Sequence, residues 1–291
     1  MFFAKKNKQN DPKAFVTVLG TSPLALFLTY VLQQNNVEVV NLNTSRETLK
    51  SEGYTFKNDF QSQNFYFNSC SFLEKKPEYC FLASSFDEYK NDILALSDNM
   101  LKGVPVVNFS SFYNDELIKH IKGIKEIRAY FKGWFVKGKK EIEMLNRIGE
   151  IILCADENIE KSLKEMLLCK RTDIKLEKNT KKIFLQTLIP YVLGNLLILA
   201  YCDDISKLLL NGNLRQKLDD IIKETIQLLI KDAQQIDKHA ILPEIYAFPD
   251  NYVSEFDSKQ GVFVLSQIIK GADYFKTPGL SELINTAMKK Y

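Results

Sequence analysis

The sequence predicts an α/β domain followed by an all-helical domain. Three observations predict it. A strand–helix–strand unit of roughly 30 residues opens near Phe15. Short β-branched and apolar runs then alternate with helical patterns as far as Lys175. From Lys181 the pattern is helical almost to the end, punctuated by Asn211-Gly212-Asn213 and by Pro243 to Asn251. The boundary is therefore placed at 175/176, giving domains 1–175 and 176–291. With 291 residues, 45% of them apolar, the chain has material for two cores.

Phe15 to Leu19 (FVTVL) reads as a buried strand. Gly20-Thr21-Ser22-Pro23 breaks it, and Pro23 suits the first turn of a helix that runs on from Leu24 to Leu32. Asn35-Asn36 turns the chain into a second strand, Val37 to Leu42. Tyr79 to Ala83 and Val104 to Val107 are further strands, flanking a helical segment around Asp87 to Met100. Ile127 to Phe131, Trp134 to Val136 and Ile151 to Leu153 are shorter strand candidates, and Asn158 to Leu168 reads as an amphipathic helix. Phe60, Phe65, Tyr66 and Phe67 lie in an aromatic-rich stretch, where such residues usually pack.

Composition excludes several classes. The formal net charge is +3, with acids and bases interspersed, so no nucleic-acid footprint stands out. The five cysteines, Cys70, Cys80, Cys154, Cys169 and Cys202, form no CxxC pair, and His120 and His239 have no ligand spacing. Buried thiols in a reducing cytosol, and no metal site, are expected. The N-terminal segment turns polar at Lys5 and does not read as a signal peptide. The apolar stretch Ile183 to Cys202 has membrane length but is interrupted by Gln186, Thr187, Pro190, Gly194 and Asn195. A buried helix of a cytoplasmic protein, with no membrane partner, is expected.

The first strand–helix turn carries the chemistry. Dinucleotide-binding domains of the Rossmann type place a glycine-rich turn here, and the pyrophosphate sits at the helix N-terminus. The pattern reads Gly20-Thr21-Ser22-Pro23-Leu24-Ala25. The first glycine is present; Ser22 brings a Cβ and a hydroxyl to the second position, and Ala25 stands at the third. An ordinary βα turn has the same outline. After the second strand, Asn41-Leu42-Asn43-Thr44-Ser45-Arg46 holds no acid for a ribose 2′-hydroxyl, whereas Arg46 suits a 2′-phosphate, which favours NADPH. Ser84 and Asn108, at the carboxyl ends of their strands, stand where open α/β sheets bind ligands.

At these residues the chain resembles the ketopantoate reductase family over most of its length. The resemblance rests on VTVLGTSPLALFLTYVL (Val16 to Leu32), on Arg46 with Glu52-Gly53-Tyr54, and on Arg147-Ile148-Gly149-Glu150-Ile151. It continues in Lys181-Lys182-Ile183-Phe184-Leu185-Gln186, in Ser254-Glu255-Phe256-Asp257 with Gln260-Gly261, and in Thr277-Pro278. The resemblance implies a Rossmann domain followed by a helical domain, with NADPH-dependent reduction of 2-dehydropantoate to pantoate in the cleft between them. It puts the catalytic lysine at Lys182, with Lys181 one register away, and a substrate-binding acid at Glu255. The sequence departs from the family at Gln186, where an asparagine is usual, at Pro190, at Ser84 in place of a lysine, and at Asn108-Phe109 in place of Asn-Gly.

Reduction of a 2-oxo acid needs a hydride donor, an acid for the developing alkoxide, and groups that hold the substrate. A lysine can serve as the acid when burial lowers its pKa. Gln186 falls one helical turn after Lys182 and supplies an amide to the same face. Cofactor contacts are expected at Gly20, Thr21, Ser22, Pro23, Leu24, Arg46 and Ser84, and substrate contacts at Gln186, Glu255 and Asn108. A reductase of another small 2-oxo acid, and a non-catalytic nucleotide-binding relative, remain alternatives. Homodimerisation through the helical domain is a further expectation.

Overall fold

A computed structural model describes residues 12–43, 50–58, 61–97, 99–110, 118, 121–145, 149–154, 157–178, 180–201, 205–228, 238–248, 252, 254, 258–268 and 277–289. Phe15–Leu19 (β1) is apolar at four of five positions and buried throughout, as a strand covered on both faces must be. Helix α1 (Pro23–Gln34) starts at Pro23 behind the cap Ser22, whose Oγ accepts from the Ala25 amide at 3.1 Å. It is buried from Ala25 to Leu32 and ends at Asn35-Asn36, the latter at φ 60°. Glu38–Leu42 (β2) returns parallel to β1.

The remaining strands are Lys50–Asn58 (β3), Gln61–Cys70 (β4), Tyr79–Leu82 (β5), Pro105–Asn108 (β6), Lys125–Lys132 (β7), Phe135–Lys137 (β8), Glu141–Met144 (β9), Gly149–Cys154 (β10) and Thr172–Leu176 (β11). Helix α2 (Phe86–Ala95) and a 3₁₀ turn at Asn99–Leu101 follow β5, and α3 (Glu157–Leu167) follows β10. One eleven-stranded sheet has the order β11-β10-β7-β6-β5-β1-β2-β4-β3-β9-β8. β1 is flanked by β2 and β5, both parallel to it. The chain therefore winds outward from β1 in both directions. That leaves a crevice at the carboxyl ends of β1 and β5, the place where doubly wound sheets take ligands.

The period-2 alternation of the strands assigns two cores. Val16, Val18, Phe81, Ala83 and Val107 face α1 and α3. Leu19, Leu42, Cys80, Leu82 and Val106 face the other way, onto Tyr89, Ile93 and Leu96 of the α2 side. A third cluster, Phe27 with Tyr30, Phe56, Phe65 and Phe67, ties α1 to the β3–β4 hairpin. Phe65 and Phe67 thus pack, as expected of that aromatic stretch. Tyr66 between them is exposed, and Phe60 lies outside the described residues.

Beyond β11 the described elements are helices: α4 (Thr180–Tyr201), α5 (Ile205–Leu210), α6 (Gly212–Leu228), α7 (Lys238–Tyr246), α8 (Ser258–Ile268) and α9 (Pro278–Lys289). Helix α4 is the axis, touching α7, α8, α9 and β7. Leu188, Ile189, Val192, Leu193, Leu196 and Leu197 of α4 belong to the same core as Leu82 and Ile93, so the helices pack on the α2 face of the sheet. The apolar stretch that has membrane length in the sequence is this central helix. Among the described residues no helix is long and apolar enough to cross a membrane.

Candidate functional site

The turn after β1 is shaped by Gly20. Gly20 sits at φ 102°, and a Cβ there would lie 2.6 Å from the Ala83 carbonyl oxygen and 2.7 Å from Ser84 Cα. Only glycine allows β1 to exit this close to the end of β5. The donors of Thr21 and the hydroxyl of Ser22, however, are engaged by the chain itself. The Thr21 amide donates to Glu88 Oε2 at 3.1 Å, and the Thr21 hydroxyl donates to Glu88 Oε1. Ser22 Oγ donates to the Ala83 carbonyl at 2.5 Å while capping α1. Pro23 has no N–H.

Glu88 is the third residue of α2 and completes a capping box with Ser85. Its Oε2 accepts from the Ser85 amide at 3.1 Å and the Ser85 hydroxyl at 2.8 Å. Burial alone would push this carboxyl up, but the bonds from Thr21 and Ser85 outweigh it and the net shift is downward. Lys137 of β8 closes the group, its Nζ donating to the Thr21 carbonyl at 2.7 Å. One turn further along α2, buried Asp92 accepts from Ser84 Oγ at 2.6 Å. Burial, opposed by that bond and reinforced by the charge of Glu88, raises its pKa to about 6.

Beside this turn a cleft of about 290 Å³ opens between the sheet and α4. Ser22, Pro23, Leu24, Ser84, Phe109 and Ser110 line it together with the rings of Phe131, Trp134, Tyr191 and Phe248. Trp134 stacks on Tyr191 with centroids 5.9 Å apart and leans on Phe248 at 4.0 Å. The Phe248 ring lies where a side chain at Gly194 would have to go, at 2.3 Å. Pro190, inside α4, also lines the cleft; lacking an N–H, it leaves the Gln186 carbonyl without its helical donor. Lys132, at the end of β7, is the cation among the described lining residues. Its Nζ lies 3.0 Å from Glu244 of α7 and 3.9 Å from Glu150 of β10.

These positions rearrange the residues singled out in the sequence. Gly20 shapes the turn, and Ser22, Pro23, Leu24 and Ser84 line the cleft. The hydroxyls of Thr21, Ser22 and Ser84 are spent on Glu88, Ala83 and Asp92. Asn108, expected as a substrate contact, has its amide engaged within the fold. It is fully buried, donates to Glu126 at 2.7 Å and accepts from the Ser110 amide at 2.9 Å, so both ends of its amide hold the strand end in shape. Lys182 and Gln186 lie in the first turns of α4, with their side chains outside the described residues. Arg46 and Glu255 lie outside the described residues altogether. Sequence reading missed Glu88, Lys137 and Lys132. Only Glu88 had a local signal, the Ser85-x-x-Glu88 capping box.

No family model matches the chain, and no curated protein matches it in sequence. Solved structures do match it in shape. A PanE/ApbA-family ketopantoate reductase from Ralstonia eutropha superposes with a TM-score of 0.76 at 11% identity, covering 95% of this chain and 98% of that one. The chain has the ketopantoate reductase fold. The dimeric ketopantoate reductase of Staphylococcus aureus matches at TM-score 0.68 and 13% identity, over 95% of this chain and 98% of that chain. A D-mandelate dehydrogenase bound to NADH and anilino(oxo)acetate matches at 0.72 and 12%, over 95% and 97%. The ketopantoate reductase fold here combines a Rossmann-type sheet with a helical C-terminal part. In its first turn a carboxylate of the chain itself occupies the Thr21 donors.

Proposed function

We propose that the protein is a nicotinamide-dependent reductase of a small 2-oxo acid, with 2-dehydropantoate as its substrate and NADPH as its cofactor. The observation that carries this reading is the cleft. It lies at the carboxyl ends of β1 and β5, beside the Gly20 turn, and is closed by the helix whose first turns hold Lys182. A nicotinamide ring supplies hydride to the substrate carbonyl. Lys182 is then the acid for the alkoxide, Gln186 an amide on the same helix face, and Glu255 the acceptor for the substrate's remote hydroxyl. Arg46 answers the 2′-phosphate. Lys132, facing the cleft between Glu150 and Glu244, is a cation within reach of a substrate carboxylate. A protein of this fold without catalysis is the second reading, and the engagement of Thr21 by Glu88 favours it.

Fluorescence titration with NADPH and NADH, followed by turnover of 2-dehydropantoate and 2-oxoisovalerate, separates the two readings. NADPH is expected to bind more tightly by about tenfold to a hundredfold, a preference that Arg46→Ala abolishes. Lys182→Ala is expected to lower kcat by about 10²–10⁴-fold with nucleotide binding intact. Glu255→Ala is expected to remove most of the preference for 2-dehydropantoate over 2-oxoisovalerate. Absence of binding of either nucleotide leaves the non-catalytic reading in its place, and binding without turnover of either acid leaves a reductase of another small 2-oxo acid.

A further inference from the structure

We propose that Glu88 is a built-in competitor for the anion position of the turn after β1, so that a dinucleotide phosphate reaches the Thr21 donors only by displacing this carboxylate. The inference rests on the reductase reading above in taking the displacing ligand to be a dinucleotide.

The contacts are specific. One carboxylate receives hydrogen bonds from both the amide and the hydroxyl of Thr21, and from both the amide and the hydroxyl of Ser85. Thr21 and Glu88 are 67 residues apart, so the pairing belongs to the fold and not to a local turn. A helix N-terminus next to a glycine turn attracts anions through its exposed N–H groups and its dipole. Here the chain provides the anion. Of the other groups at the turn, Pro23 offers no N–H and the Ser22 hydroxyl caps the Ala25 amide and is turned back to the Ala83 carbonyl, which leaves the Ser22 and Leu24 amides as its remaining donors. Two anions cannot share the Thr21 donors, because like charges brought together in a half-buried site repel strongly. Lys137 on the Thr21 carbonyl is a cation left at the turn when Glu88 leaves, suited to an incoming phosphate.

The alternative to displacement is a turn closed for good, and removing the charge distinguishes the two. Glu88→Gln keeps the capping box, since glutamine serves in that motif as glutamate does, so α2 retains its start. Glu88→Ala removes the occupant entirely. Asp87→Asn is the control: it is an exposed acid on the same helix turn, and it meets Gln260 and not Thr21. NADPH and NADH are titrated by fluorescence against all four proteins, with thermal melts to show that each is folded. The expected result is a gain in nucleotide affinity of about tenfold or more in Glu88→Gln, a larger gain in Glu88→Ala, and none in Asp87→Asn. Equal or weaker binding in the Glu88 variants, with measurable binding in the unmodified chain, overturns the competitor and leaves the reductase reading standing. An equal gain in Asp87→Asn reduces the effect to a general field and also overturns it. Failure of all four proteins to bind either nucleotide overturns both the competitor and the reductase reading.

Discussion

Two regions at the same edge of the sheet are built on opposite principles. At the turn after β1, polar groups from β1, α2 and β8 satisfy one another, and Glu88 sits at their centre. Beyond β7, rings from the sheet and from α4 stack on each other and leave an open cleft. Hydrogen bonding is directional and saturable, so the Thr21 donors have nothing to give a ligand until Glu88 leaves. Aromatic packing is less demanding, and a wall of rings can border empty space at little cost. A ligand entering the cleft only has to displace water, whereas one entering the turn also has to compete with the protein.

The sharpest way to break this comparison is Gly20→Ala. The new Cβ would meet three backbone atoms, Ala83 O at 2.6 Å, Ser84 Cα at 2.7 Å and Ala83 C at 2.8 Å, on a residue already at φ 102°. Neither strain nor clash is relieved by moving a side chain. A loss of about 3 kcal/mol or more is expected in denaturant unfolding. A variant as stable as the parent would mean that the turn does not hold β1 against β5.

The second test concerns Asp92, next to the satisfied turn. Its carboxyl is buried and its pKa is raised to about 6 from an ordinary 3.8. The folded state therefore binds this proton more tightly than the unfolded chain does. Stability from this group is full below the unfolded value, falls as pH rises from about 4 to about 6, and stays low above that. Asp92→Asn removes the charge and still accepts from Ser84. It should stabilise the protein at pH 7.5 by up to about 3 kcal/mol, less the cost of its added amide hydrogens. The gain should vanish near pH 4. Melting curves at the two pH values check it, and a loss at pH 7.5 would mean that the charge of Asp92 serves the turn.

The sequence makes the backbone of the first region easier to read than the long-range contacts that complete it, for physical reasons. FVTVL followed by Gly20 and Pro23 is a local pattern, and the structure places β1, the turn and α1 where that pattern does. The hairpin β3–β4 is missed because β3 buries only Phe56 and carries Gly53, so its apolar signal is faint. Strand β4 does alternate, with Phe65 and Phe67 buried on either side of exposed Tyr66, but without its partner the stretch reads only as aromatic. The engagement of Thr21 by Glu88 is long-range, and no spacing rule reports it. Asn108 shows the same limit from the other side. A strand-end asparagine looks available in sequence, whereas Glu126 and the Ser110 amide claim it in space.

The smallest expected effect on stability belongs to the cleft. Lys132 bridges β7 to Glu244 of α7 and approaches Glu150, and its side chain is 29% exposed while that of Glu244 is 41% exposed. Pairs this wet contribute about 0–1 kcal/mol, because water and salt screen them and long side chains lose freedom in forming them. The Trp134–Phe248–Tyr191 stack needs no such pair to hold its place. Lys132→Met keeps the length of the stem and drops the charge, so unfolding should shift by about 1 kcal/mol or less. If the open cleft takes an acid, the same variant should weaken binding of 2-oxoisovalerate much more than it weakens the fold, since the ligand carboxylate loses a charge-assisted partner. Stability and ligand affinity falling together would mean that the ion pair, and not the rings, props the cleft open. Stability and affinity both unchanged would mean that the acid-binding cation lies elsewhere, and Lys182 at the start of α4 would then be the lysine to vary.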